Sequence, residues 1–100
     1  MSDLDPARVI EALASDPSLQ AFVRDGRVET MPAKMSRRRL LLNQVALAFE
    51  PGVRYPERDV DDFMRAIHPD HAALRRYMVD QGLLDRAEGV YWRTGGTVIA

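Results

Sequence analysis

The sequence predicts an α+β chain, mostly helical, on three observations. Five stretches join a helix start signal to apolar residues at helical spacing. A closing segment, Val90-Tyr91-Trp92-Arg93, alternates and is rich in aromatics, and Gly89 marks a tight turn just before it. At 100 residues the chain is the size of one domain. Such a length buries about 60 to 70 % of its unfolded surface, enough for a core without disulfide or metal staples.

The elements follow in order. Asp5-Pro6 is an N-cap followed by proline at the first helical position, and Val9, Ile10 and Leu13 form an apolar stripe, which predicts a helix over 6–14. Ser15-Asp16-Pro17 repeats the start signal. It predicts a second short helix carrying Leu19, Phe22 and Val23, stopped at Asp25-Gly26 with glycine as the left-handed end residue. Arg27-Val28-Glu29-Thr30 reads as a brief extended segment, and Pro32 keeps Met31 out of the helical region. Ser36 is placed to cap a third helix that runs to about Phe49, with Leu41, Leu42, Val45, Ala48 and Phe49 on one face, and Pro51-Gly52 ends it.

Tyr55 is a short extended piece. Pro56 then opens a fourth helix whose Val60, Phe63, Met64 and Ile67 fall at i, i+3, i+4 and i+7, with acidic residues on the outer face. His68-Pro69-Asp70 breaks the chain and starts a fifth helix, which ends at Gly82 and turns Leu74, Tyr77 and Met78 inward. Leu83-Leu84-Asp85-Arg86, a turn at Ala87-Glu88-Gly89, and Val90-Tyr91-Trp92-Arg93 read as a hairpin. Three helices and a hairpin, with an extended piece after the first of the three, is the element order of a winged-helix-like unit. That order puts the fifth helix in the recognition position. The expected organisation is one domain: two short N-terminal helices as an extension over 1–26, the winged-helix-like three-helix unit with its C-terminal β-hairpin over 27–93, and a loose or weakly paired tail over 94–100.

Composition narrows the function. A chain 46 % apolar and 29 % charged is outside the disordered, collagen-like and membrane classes. Cysteine is absent, which removes disulfides, zinc ribbons and thiol catalysis together. The start, Met1-Ser2-Asp3-Leu4-Asp5-Pro6, is acidic and lacks the basic and apolar regions of a signal peptide, and no run approaches the roughly 18 apolar residues of a membrane span. A cytoplasmic location and no membrane partner are expected. The net charge of -1 conceals an uneven distribution: residues 34–49 carry 4 basic side chains and no acidic one, whereas residues 50–62 carry 2 basic and 5 acidic.

A set of runs resembles one known family. These are Asp25-Gly26-Arg27-Val28, Pro32-Ala33-Lys34, Phe49-Glu50-Pro51-Gly52, Tyr55-Pro56-Glu57, Asp70 with Leu74-Arg75-Arg76-Tyr77-Met78-Val79-Asp80, Gly82-Leu83-Leu84-Asp85-Arg86 and Tyr91-Trp92-Arg93. Together they are similar to the bacterial domain of unknown function 2087 family, over roughly residues 22–93. The resemblance implies a winged-helix-like fold and a regulatory setting, since members occur alone or joined to helix-turn-helix regulators. It implies no activity and no catalytic residues. Two departures are noted: Asp59-Val60-Asp61-Asp62 stands where a Glu-Val-Asn-like run is expected, and no attached regulator is expected ahead of the domain.

Seven cations are the candidate DNA contacts. With Leu74 inward at 100° per residue, Arg76 and Ala72 point nearly opposite the core and Arg75 lies on the flank. Arginine forks match guanine edges and phosphates. The competing reading is structural, pairing Arg76 with Asp80 and Arg75 with a carboxylate of the acidic fourth helix. Lys34, Arg37, Arg38 and Arg39 open the third helix, where dipole and free amides already favour an anion such as phosphate. The competing reading there is a solvated helix end with a counter-charge from elsewhere in the chain. Arg93 belongs to the wing, and strand alternation puts it with Tyr91 on the face opposite Trp92.

Other chemistry is weakly represented. His68-Pro69-Asp70-His71 contains ligand types for zinc or nickel, but the spacing does not gather them on one helix face, and Asp70 is better explained as a cap. Glu57, Asp59, Asp61 and Asp62 lie on a solvent face with no nucleophile or glycine-rich cradle. No enzyme activity, metal, cofactor or small-molecule ligand is expected. The expected function is regulation of transcription by binding duplex DNA through the fifth helix and the wing. The alternative is protein–protein interaction or self-association, as in a homodimer, without nucleic acid.

Overall fold

The computed structural model describes residues 3–95. Its architecture is α+β, built from four α-helices and two small antiparallel sheets. The Asp5 side chain caps α1 (Pro6–Ala14) by accepting from the Arg8 amide at 3.3 Å, and Pro6 sits where no amide is needed. Val9 and Leu13, on one side of the helix, are buried.

The expected second helix is instead a single 3-10 turn, Gln20–Phe22, that runs into a hairpin of β1 (Val23–Arg24) and β2 (Arg27–Val28). Asp25 and Gly26 hold φ of 52° and 75° at the turn, the two positive values that a tight two-residue hairpin needs. The glycine therefore supplies left-handed backbone, but to a turn between strands. A helix confined between Pro17 and Asp25 gains too few hydrogen bonds to offset its nucleation, while β-branched Val23 and Val28 pair directly across the turn.

Helix α2 (Met35–Ala46) begins before Ser36, which lies in its first turn and does not cap it. Lys34 is the N-cap and offers no side-chain bond. Arg38 ties the incoming loop down instead, donating to the Pro32 and Ala33 carbonyls at 3.1 and 3.2 Å. Beyond Ala46 the chain tightens, with Phe49 N donating to Ala46 O at 3.0 Å, and this carries the Phe49 ring into the core. That ring meets Tyr55 and Phe63 edge-on at centroid distances of 5.2 and 5.5 Å.

After β3 (Arg54–Pro56), helix α3 (Glu57–Ile67) buries Val60, Phe63, Met64 and Ile67, the whole of its apolar stripe. His68 follows, buried, with Nδ1 2.6 Å from the Val28 carbonyl, which joins the end of α3 to β2. Asp70 caps α4 (His71–Asp80) by accepting from the Ala73 amide at 3.0 Å. At its far end Leu83 N reaches Met78 O at 2.9 Å and Gly82 N reaches Val79 O at 3.0 Å, the paired bonds of a Schellman ending. Gly82, at φ 71°, makes it without a side-chain clash.

β4 (Leu84–Ala87) and β5 (Val90–Arg93) form the C-terminal hairpin, and β3 completes a three-stranded sheet in the order β3-β5-β4. Tyr91 pairs with Tyr55 on the buried face, while Trp92 lies between Arg54 and Asp85 on the other. Thr94 N donates to Leu83 O at 3.1 Å, so the first residue of the expected tail extends the ladder. Residues 96–100 of that tail lie outside the described residues. Among the described residues no helix is long and apolar enough to cross a membrane.

Candidate nucleic-acid interface

Helix α4 is oriented by Leu74 and Met78, both fully buried, which leaves Arg76 exposed on the opposite side. Its two flanks meet different helices. On one, Arg75 pairs with Asp61 of α3, and both side chains are about four-fifths covered, at 21 % and 23 % exposure. On the other, Tyr77 and Gln81 face the start of α2: the Arg38 guanidinium stands over the Tyr77 ring at 5.0 Å, and Arg39 donates to Gln81 Oε1 at 3.0 Å.

The acidic helix and the basic helix end therefore lie on opposite flanks of α4. The basic start of α2 adjoins the end of α4 that leads to Gln81, where α4 presents the negative pole of its dipole. Arg76 projects between these flanks, with Asp80 one turn further along the same outer face. The i, i+4 ion pair between them does not form, and Arg76 has no hydrogen bond or ion pair among the described residues.

The seven candidate cations thus divide. Arg38, Arg75 and Arg93 are turned to internal partners, the last donating to the Phe49 carbonyl at 3.2 Å. Arg93 consequently sits past the C-terminal end of α2, a helix length away from residues 34–39. Lys34, Arg37 and Arg76 are exposed and unpaired among the described residues, and Arg39 is exposed with an amide as its partner.

Two further features had no local signal in the sequence. Arg54 stacks over Trp92 at 4.3 Å on the outer face of the sheet, an arrangement created by the pairing of β3 with β5. On the inner face, Arg86 donates to the Tyr91 hydroxyl at 3.4 Å, and that hydroxyl faces Glu57 Oε1 at 3.4 Å. The hydrogen bond to Tyr91, reinforced by the charges of Tyr91, Glu57 and Asp80, holds the Arg86 guanidinium still more firmly protonated than usual.

His68 and His71 are separated by their roles, one bonded to Val28 and one opening α4. Among the described residues no group of three or more His, Asp or Glu side chains is arranged to hold a metal ion.

The contrast between the two neighbouring arginines is testable. Arg76→Ala is expected to change stability by less than about 1 kcal/mol, because the side chain is exposed and unpaired. Arg75→Ala is expected to cost about 1 to 3 kcal/mol, because it strands a largely covered Asp61 carboxylate. Urea denaturation of both variants checks this, and equal losses would contradict the orientation of α4.

Fold and site together define a small α+β chain in which a basic helix end lies beside α4, the last helix, with its exposed Arg76. The chain belongs to the bacterial family described as "Uncharacterized protein conserved in bacteria (DUF2087)", whose model matches residues 27–93. The match opens on β2 and closes at the last residue of β5. No curated protein and no solved structure matches the chain.

Proposed function

We propose that residues 27–93 act as a winged-helix-like regulatory module that binds duplex DNA, with α4 offered to the major groove and the start of α2 to the phosphate backbone. The observation that carries this reading is the placement of the α2 cations beside α4 through the Arg38–Tyr77 and Arg39–Gln81 contacts. Those contacts set Arg39 beside α4 on the flank away from the acidic helix, with Lys34 and Arg37 at the same end of α2, so carboxylates of α3 do not lie between Arg39 and α4. Arg76 is then free to reach a base edge, while the others neutralise phosphates. Arg93 is no part of this surface, since it is engaged at the Phe49 carbonyl.

In this reading the chain is a binding module rather than an enzyme. Three of the four carboxylates of α3 have partners in the fold: Asp61 with Arg75, Asp62 with Arg65 at 3.1 Å, and Glu57 with the Tyr91 hydroxyl. Fluorescence anisotropy with random duplex DNA at low salt tests it. Binding in the range of about 1 to 100 μM is expected, the usual strength of nonspecific contact, and no binding at the upper limit would sink the proposal. A second reading, a protein-interaction module, is favoured by one specific observation: Leu40 and Leu47 of α2 are exposed large apolar residues.

A further inference from the structure

Helix α2 carries its charges in the same sense as its own dipole. Lys34, Arg37, Arg38 and Arg39 crowd its positive end, its first turn has no acid and its last turn no base, and Glu50 follows just beyond its negative end. Within one chain this arrangement is unfavourable. Two of the cations, Lys34 and Arg37, and the Glu50 carboxylate are exposed and without a side-chain partner among the described residues. Alongside another α2 running the opposite way, each end would meet its complement.

The same helix has two exposed leucines on one face, Leu40 and the C-cap Leu47, to bring the two together, whereas Met35 faces another way. Met35, Leu40 and Leu47 are the exposed large hydrophobics, at 67, 51 and 36 %. Arg37, Leu40, Gln44 and Leu47 fall within an arc of about 80° at 100° per residue, and Leu40 and Leu47 lie two turns apart, roughly 10 Å. Gln44 and Leu47 continue into a cavity of about 270 Å³ between α1 and α2. Asp3, Asp5 and Arg8 line that cavity together with Val9 and Ala48, so its charged groups are acidic on balance.

We propose that a second copy of this chain docks antiparallel along this face of α2. A twofold axis between Asn43 and Gln44 sets Leu40 against the partner's Leu47 and Arg37 against the partner's Glu50, and symmetry makes each contact twice. The unpaired cations of one copy then lie over the acidic cavity and the terminal carbonyls of the other. One helix face with a shallow cavity is at the small end of specific interfaces, under about 1,200 Å² in total, so the dimer is weak, with a Kd of the order of 10 to 100 μM. This surface shares Lys34 and Arg37 with the proposed phosphate contacts but is tested without nucleic acid, so its failure and that of the DNA reading are distinguishable.

Sedimentation of the full chain over about 5 to 300 μM, spanning the Kd expected for so small an interface, reads the proposal directly. The weight-average mass should climb from 11.3 kDa toward twice that value. Leu40→Asp should weaken association at least about tenfold while leaving the thermal melt unchanged, because Leu40 is half exposed. Arg37→Glu and Glu50→Arg should each weaken it, and the double variant should recover most of the loss, as restored opposite charges do across an interface. A wild-type chain that stays at 11.3 kDa throughout overturns the proposal. So does a Leu40→Asp chain that associates like wild type. A double variant no tighter than the single ones overturns the antiparallel register.

Discussion

Phe63→Ala is expected to lower the free energy of unfolding by about 3 to 5 kcal/mol. Phe63 is 3 % exposed, and its ring meets Phe49 edge-on at 5.5 Å. The Phe49 ring in turn packs against Tyr55, so the missing side chain opens a void where α3, the end of α2 and the central sheet converge. Surrounding groups relax only partly into such a void, and the cavity adds to the lost transfer energy. Domains of this size hold about 5 to 15 kcal/mol in total, so the variant gives up a large share. Urea denaturation followed by circular dichroism checks it. The midpoint should fall with little change in slope, and a loss under about 1 kcal/mol would mean that the α3 stripe is not the core.

The second large effect is the salt dependence of DNA affinity that follows from the proposed interface. Each phosphate neutralised releases counterions and adds about -0.9 to the slope of log affinity against log salt. Phosphate contacts from Lys34, Arg37 and Arg39 would give a slope of about -3, or roughly a fortyfold weakening between 50 and 200 mM salt. Lys34→Ala is the informative phosphate variant, because its side chain is exposed at the N-cap and contributes no capping bond. It should make the slope shallower by about one unit and weaken all sequences alike. Arg76→Ala should instead relax preference at one base position. Anisotropy titrations at four salt concentrations separate these outcomes. A wild-type slope near zero would leave no phosphate contact for α2 to make.

Local chemistry in the sequence was enough to determine the starts of α1 and α4, because Asp5 and Asp70 act on amides three residues ahead. It also determined the stripe of α3, the glycine end of α4 and the closing hairpin, since periodicity and turn residues act within a few positions. Where two local signals compete, the sequence alone did not choose: Asp25-Gly26 suits a helix end as well as a hairpin turn, and the pairing of Val23 with Val28 selects the turn. The same holds at Ser36, a good cap in isolation, which is bypassed because Arg38 fixes the preceding loop one turn earlier.

The candidate site was less legible for a related reason. Helical spacing placed Arg76 outward and Arg75 on the flank, and the family resemblance placed both chain segments in one unit. Which cations are free depends on partners far along the chain: Arg75 finds Asp61, Arg38 finds Tyr77, and Arg93 finds the Phe49 carbonyl. An arginine reaches several ångströms beyond its Cβ, so its direction on a helix or strand does not name the group it meets. Elements with one unopposed local signal were thus determined by the sequence itself, whereas the hairpin of β1 and β2, the start of α2 and the division between structural and available charge were decided only when the helices and the sheets packed together.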